Sequence, residues 1–460
     1  MLLVKAAFLA AVVAAADAVA PADLSVNKTD SIIGVANTLA KGAMSYYSGN
    51  ASSFADLPDP YYWWEAGALM GAMLDYSYYT NDTTYDDIVA TAILQNTGPA
   101  HDFIVPAHEL DEGNDDQAFW GFTVLTAAEH NFTQPAELTP KGVPSWLDLS
   151  INVWNNMVVR WNTTKCAGGF TWQIYADNFN GMNYKNSASN GGFFLISARL
   201  ALLTGNKTYV DWAQKVWDWT DAVGIIDKHY NVYDGTDSAT NCTQINLLSF
   251  SYQNGIFLYG AAVLANHTGD AVWKTRAEGL LDAARHFFSP DKNATNIMWE
   301  HACEGVGTCT KDMKTFKGFL SRFMYSAVQV LPSLAPNVTA YMRASATAAG
   351  KACTGANIDG APTQNGTTCG QKWYVGGFDG SVGLGQEMCA LETVQGLLGL
   401  NKVLGIDQAP PPSPSPTAPA PAPSPSGDKT KNASPRGMSH IDLRWTVVSM
   451  ACALFAYGMA

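Results

Sequence analysis

Between residues 23 and 405 the chain alternates two kinds of segment, and neither shows the period-two alternation of a half-buried strand. Six segments are apolar on every side and mix glycine with aromatic and aliphatic residues; they begin near Tyr62, Asp115, Ser187, Ser249, Phe316 and Gly380. Six others are amphipathic at helical spacing: 31–47, 85–94, 146–161, 209–223, 271–288 and 338–352. The apolar segments recur at intervals of roughly 50 to 70 residues, the length of a helical hairpin with its loops. A helix without a polar face has to be buried all round, whereas an amphipathic one covers such a helix and faces solvent. Six of each predict an all-α fold, an (α/α)6 barrel of six inner and six outer helices. The architectural alternative is a pair of irregular helical domains.

In such a ring the inner helices all start at one end, so the polar and aromatic residues at their starts converge on one cleft. The substrate-binding candidates are therefore Trp63, Trp64, Gln117, Trp120, Asn186, Asn190, Tyr252, Gln253, Lys317 (with Arg322 nearby) and Asp379. Taken singly, each is more often a helix cap or a satisfied core polar residue than a ligand contact.

The two ends of the chain carry addresses rather than core. Residues 1–18 have Lys5, an apolar run and a small-residue site at Ala16-Asp17-Ala18, the pattern of a secretory leader cleaved after Ala18. The run is too short for a membrane span. From Pro410 to Pro425 the chain holds nine of its 22 prolines among Ser, Thr and Ala, which marks an extended stalk. Asn432-Ala433-Ser434, a polar spacer and the apolar tail 445–460 then follow the order of a GPI-attachment signal. Asn432 is the expected attachment residue, with Ser434 and Gly427 as alternates; the competing tail anchor lacks a basic cytoplasmic flank. The expected organisation is thus a leader over 1–18, a folded domain over 19–406, a stalk over 407–431 and an attachment signal over 432–460.

Secretion also fits the acceptor sequons at Asn27, Asn50, Asn81, Asn131, Asn162, Asn206, Asn241, Asn266, Asn293, Asn337 and Asn365. In a secreted chain the cysteines are expected to pair. Proximity gives Cys303–Cys309 and Cys353–Cys369, leaves Cys166–Cys242, and makes Cys389 a buried free thiol. There is no CxxC pair, so neither a zinc site nor a redox motif is indicated and no cofactor is expected. A net charge of −13 excludes nucleic acid as a partner. Fourteen Trp and 19 Tyr on an acidic chain suit a neutral ligand with flat, partly apolar faces, such as a sugar.

The chemistry concentrates in Gly113-Asn114-Asp115-Asp116-Gln117-Ala118-Phe119-Trp120. Asn114 and Gln117 fit an N-cap and its capping-box partner, which puts the acids in the first turn of a helix. On the bland reading they only complement the helix dipole. Glycoside hydrolysis, however, needs two carboxylates flanking the scissile bond. Neighbouring Cα atoms are about 3.8 Å apart, so diverging side chains hold their carboxyls at roughly 5 Å. That suits the retaining spacing of ~5–5.5 Å and falls short of the inverting ~6.5–9.5 Å.

The run Gly113–Gln117 with Trp120 resembles the signature of glycoside hydrolase family 76. The resemblance extends through Cys166-Ala167-Gly168-Gly169, Trp172-Gln173, Asn190-Gly191-Gly192-Phe193-Phe194, Tyr252-Gln253-Asn254-Gly255, Phe316-Lys317-Gly318 and Gly383-Leu384-Gly385-Gln386-Glu387. The secreted, GPI-tailed layout is similar to the fungal cell-wall branch, the mannan endo-1,6-α-mannosidases. The resemblance implies an (α/α)6 barrel and retaining action on α-1,6-linked mannose in mannan or GPI glycans, with Asp115 as nucleophile and Asp116 as acid/base. It also implies transfer of GPI proteins to wall glucan as acceptor, by a monomer held at the membrane and wall through its anchor. Two readings compete: a non-catalytic mannan-binding or structural mannoprotein, and an inverting enzyme whose second carboxylate is Glu387 or Asp379.

If residues 432–434 are the attachment site, replacing Asn432, Ala433 and Ser434 with bulky residues prevents removal of the tail. Release by phosphatidylinositol-specific phospholipase should then be lost; unchanged release would move the site elsewhere.

Overall fold

Six helices with no polar face can satisfy one another by closing into a ring, and in the computed structural model they do. It describes residues 19–406 apart from 50–56, 111, 179–180, 290–293, 360 and 363–365. The leader, the stalk, the attachment signal with Asn432, and the sequons at Asn50, Asn293 and Asn365 lie outside the described residues.

Twelve α-helices form among the described residues: α1 (Thr29–Met44), α2 (Trp63–Thr80), α3 (Asp86–Gln95), α4 (Asn114–Glu129), α5 (Trp146–Val158), α6 (Ser187–Thr204), α7 (Lys207–Val223), α8 (Ser251–Thr268), α9 (Ala271–Ala283), α10 (Phe316–Val330), α11 (Ala335–Ala352) and α12 (Leu384–Leu404). The even-numbered helices are the inner ring. Each packs on the next, and α12 returns to α2, while the odd-numbered helices cover them from outside. This is the (α/α)6 barrel expected from the pattern. The outer segment 271–288 stops being α-helical at Ala283 and finishes as a 3₁₀ turn over 284–287.

Ring closure depends on backbones approaching aromatic rings. A Cβ on Gly396 of α12 would stand 2.0 Å from the Tyr325 ring of α10, and one on Gly67 of α2 would stand 2.7 Å from the Trp120 indole of α4. No rotamer change in the glycine's own position relieves that, so these glycines inside helices are there for contact, at a propensity cost of ~1 kcal/mol each.

The loops hold short strands that helical periodicity does not reveal. β1 (Tyr184–Asn186), β2 (Gly235–Asp237) and β3 (Ile245–Asn246) form an antiparallel sheet in that order, with Lys185 opposite Thr236. β4 (Cys353–Gly355) pairs with β5 (Thr368–Cys369). Disulfides join Cys166 to Cys242, Cys303 to Cys309 and Cys353 to Cys369, and Cys389 is buried and free. Of the sequons inside the described residues, Asn162 is half-buried and Asn27, Asn81, Asn131, Asn206, Asn241, Asn266 and Asn337 are exposed. Among the described residues no helix is long and apolar enough to cross a membrane.

Charge is buried deep in the ring as well as at its mouth. Arg322 of α10, placed with Lys317 at the cleft by sequence order, instead lies a turn and a half farther along its helix. There its Nε meets Asp75 of α2 at 2.8 Å and its Nη2 meets Glu392 of α12 at 3.0 Å. Arg199 of α6 grips Glu129 of α4 with Nε at 2.9 Å and Nη2 at 2.7 Å. Asp75, Glu129, Arg199 and Arg322 line a cavity of about 240 Å³ with Tyr78, Tyr79, His130 and Tyr259. Burial raises the Glu392 carboxyl and Arg322 pulls it back down.

Arg322→Met leaves Asp75 and Glu392 buried without their cation, a change worth about 3–5 kcal/mol of stability. Because loss of the guanidinium raises the Glu392 pKa above its present value of about 8, the variant keeps that carboxyl protonated where the wild type ionises it, and its deficit grows as pH climbs through 8. Denaturant melts should show the larger deficit at the higher pH.

Candidate active site

The starts of α2, α4, α6, α8 and α10 open onto one cleft of about 570 Å³. It is lined by Tyr62, Trp63 and Trp64 at the start of α2, Asp115, Asp116 and Phe119 from α4, and Tyr184 and Asn186 from β1. Asp234 beside β2, Leu248, Phe250 and Tyr252 leading into α8, the loop residues Trp172 and Gln173, and Thr310, Asp312, Met313 and Phe316 leading into α10 complete the wall. Four carboxylates are present among these residues, and no Lys, Arg or His is.

Asp116 reaches its place through helix capping. In α2 and α8 the third helical residue turns back and accepts a hydrogen bond from the N–H just before the helix: Tyr62 N–H to Glu65 at 2.8 Å, Phe250 N–H to Gln253 at 3.1 Å. In α4 the same position is Asp116, whose Oδ2 accepts from Gly113 N–H at 2.6 Å. The cap is thus Gly113, one residue before the Asn114 read from the sequence, and its partner is Asp116 rather than Gln117. Asp115 is held differently: its Oδ2 accepts from Asn186 Nδ2 at 2.8 Å, while Asn186 Oδ1 caps α6 by accepting from Ser189 N–H at 3.1 Å. Asp115 Oδ1 accepts from Asp116 N–H at 3.2 Å.

Gly113 is where the two acids come together. A Cβ there would lie 2.5 Å from Asp115 Oδ1, 2.8 Å from Asp116 Oδ2 and 3.0 Å from the Trp172 carbonyl. The first two distances bound the separation of those oxygens at about 5.3 Å. The missing side chain thus leaves room for both carboxylates, and Asn114 N–H ties the turn to the Trp172 carbonyl at 2.8 Å.

Burial raises both carboxyl pKa values. For Asp115 the Asn186 hydrogen bond opposes that rise. For Asp116 the neighbouring Asp115 charge adds to it, and Glu112 and Asp312 add more. Asp116 is therefore the member that keeps a proton, and Asp115 the one that carries charge. Asp234 is fully engaged, accepting from Tyr184 OH at 2.5 Å, Gln253 at 2.9 Å and Asn246 at 3.1 Å. Asp312 is raised by burial, and its Oδ1 has no hydrogen-bond partner.

Of the residues expected at the cleft, Trp63, Trp64, Asn186 and Tyr252 line it with the acid pair. Six do not, each for a steric reason. Gln117 faces outward from α4 and donates to the Asp102 carbonyl at 2.7 Å. Trp120 is sealed between Phe103 and Trp63. Asn190 lies one turn below Asn186 and clamps the backbone of Phe170, accepting at 2.9 Å and donating at 3.0 Å. Gln253 serves Asp234 and the α8 cap. Lys317 is fully buried on Glu304 at 2.8 Å, over Trp373. Asp379 accepts the N–H groups of Gln371 and Lys372 at 3.1 and 2.9 Å, fixing a loop. Glu387, the other alternative second acid, is buried and accepts from Cys369 N–H at 3.0 Å, outside the cleft. Asp234 and Asp312 were missed because they sit in loops; the Tyr and Asn residues facing Asp234 across β1–β3 carry no sequence signal on their own.

The chain matches the model of Glycosyl hydrolase family 76 over residues 31–407. It is 40% identical over 384 residues to the Saccharomyces cerevisiae protein named mannan endo-1,6-alpha-mannosidase DCW1, covering 83% of this chain and 82% of that one. It is 38% identical over 381 residues to the mannan endo-1,6-alpha-mannosidase DFG5 of the same yeast, covering 82% and 80%. The crystal structure of Dfg5 from Chaetomium thermophilum in complex with glucosamine is 39% identical, covers 82% of this chain and 92% of that one, and superposes with a TM-score of 0.75. An α-1,6-mannanase from Salegentibacter shares the fold at 16% identity, covering 80% and 99%, with a TM-score of 0.60. With the family model spanning the whole barrel and relatives this similar, the chain belongs to glycosyl hydrolase family 76.

Proposed function

We propose that this protein is a retaining, endo-acting α-1,6-mannosidase in which Asp115 is the nucleophile and Asp116 the general acid/base. The observation that carries the reading is the pair at Gly113, with oxygens within about 5.3 Å of each other in an aromatic cleft. That bound lies below the inverting spacing of ~6.5–9.5 Å and is compatible with the retaining ~5–5.5 Å. The names of the yeast relatives supply the substrate class, α-1,6-linked mannan.

In the first step an Asp115 oxygen bonds to the anomeric carbon as the glycosidic C–O bond breaks, and the Asp116 proton passes to the departing oxygen. In the second, a hydroxyl attacks the same carbon, Asp116 takes its proton, and Asp115 leaves as carboxylate. Asn186 holds Asp115 at the angle of attack; Trp63, Trp64, Phe119 and Tyr252 offer faces to the sugar rings. If the hydroxyl is water the outcome is hydrolysis. If it belongs to a wall glucan, the outcome moves a GPI-linked protein from its glycan onto that glucan, and this transfer is the role we assign in fungal cell-wall assembly. The leader and tail read from the sequence support a GPI-anchored enzyme at the outer face of the plasma membrane and in the wall.

Asp115→Asn should lose turnover of α-1,6-mannosides altogether, since an amide cannot form the glycosyl-enzyme. Asp116→Asn should slow a mannose leaving group by roughly 10²–10⁴ while sparing an aryl leaving group that needs no proton. Wild-type rates in both folded variants would end the enzyme reading.

A second expectation follows from the raised Asp116 carboxyl. A group whose pKa rises on folding stabilises the fold below its unfolded value, and that stability is lost as pH climbs through the folded value. Asp116→Asn removes this loss. Its melting temperature should therefore gain on the wild type progressively as pH rises above about 4, the opposite of what a lost helix cap alone would give.

A further inference from the structure

Behind the acid pair, on the face of α4 turned away from the cleft, one guanidinium gathers the residues on either side of the pair. Arg160 lies just past the end of α5, where a cation suits the helix dipole. Its Nε donates to Asn114 Oδ1 at 2.8 Å, its Nη2 to Gln117 Oε1 and its Nη1 to Asn156 Oδ1. Asn114 passes the tie to the cleft wall, donating from Nδ2 to the Thr171 carbonyl at 2.9 Å. Gln117 donates to the Asp102 carbonyl and, at 3.1 Å, to Asn156, whose own Nδ2 donates to Asp102 at 2.8 Å. All three oxygens that Arg160 grips belong to neutral amides. Its fork spans residues 114 and 117, and Asp115 and Asp116 are the two residues between them.

We infer that Arg160 is a positioning residue for catalysis, fixing the first turn of α4 so that nucleophile and acid keep their registration with each other and with the Trp172 wall. This rests on Asp115 and Asp116 being the reacting pair. Arg160 touches neither, so it acts through Asn114 and Gln117. A planar fork presents donors from three separate nitrogens in one rigid arrangement, whereas an ammonium offers its three from a single point. Misplacing a reacting group by ~1 Å costs on the order of 10²-fold in rate, and a turn carrying both groups exposes both chemical roles to that loss together.

The test uses full-length Arg160→Ala and Arg160→Lys, with thermal melting and with kcat and KM on two α-1,6-mannosides, one bearing an aryl and one a mannose leaving group. Arg160→Ala is expected to lose roughly 10²-fold in kcat on both substrates, with KM little changed. That pattern separates it from Asp116→Asn, whose loss depends on the leaving group. Guanidinium ion at millimolar concentration should restore a large part of the rate to Arg160→Ala without affecting the wild type, and Arg160→Lys should remain impaired. In an Asn114→Ala/Gln117→Ala background the same substitution should cost little more, because its route of action is gone. A rate loss that only tracks the unfolded fraction, one confined to KM, or one that guanidinium leaves untouched overturns the inference. Should Arg160→Ala fail to fold, wild-type kcat in Arg160→Lys overturns it. Active wild type with unimpaired Arg160 variants defeats this inference alone; a wild type inactive on both mannosides defeats it and the proposed function together.

Discussion

Placing two ionisable carboxyls on consecutive residues inside a protein opposes two costs at once, the loss of hydration and the repulsion of like charges. The fold meets them at a single point, the turn at Gly113. The absent side chain admits both Oδ atoms, the N–H of Gly113 and the amide of Asn186 each bind one acid, and the remaining repulsion is relieved by keeping a proton on Asp116. The helix-cap reading of the pair and its proposed catalytic role share one hydrogen bond, from Gly113 N–H to Asp116. Asp116 caps α4 as Glu65 caps α2, so the acid is aimed by a device the barrel already uses elsewhere.

The two ends of the ring handle charge in opposite ways. Deep in the barrel, Asp75, Glu392 and Glu129 each face a guanidinium, so those helices are held in register by ion pairs. At the mouth, carboxylates face amides, hydroxyls and one another. Paired charges specify the closure of the ring; unpaired ones are left available for chemistry.

How much of this could be read from the chain follows from geometry. The ring was legible because its helices advertise all-round burial, and Asp115, Asp116, Trp63, Trp64, Asn186 and Tyr252 were legible because they sit at helix starts. Sequence order, however, does not say which way a residue at a helix start faces. Each step turns a side chain by about 100°, so Asp116 and Phe119 look into the cleft while Asn114, Gln117 and Trp120 look into the wall behind it. Lys317 and Gln253 fell on the wrong side in the same way. Asp234 and Asp312 had no periodic context at all. The first is brought in by strand pairing between segments some fifty residues apart, as Tyr184 pairs with Asp237, and the second by the loop that follows the Cys303–Cys309 bridge.

The absence of any cationic side chain from the described lining has a consequence for solution behaviour. A concave surface with acidic groups and low-dielectric aromatic walls projects a negative potential that extends about one Debye length, ~10 Å at 0.1 M salt. Neutral mannan diffuses into such a cleft indifferent to ionic strength. A polyanionic chain is held off at low salt and admitted as salt screens the field.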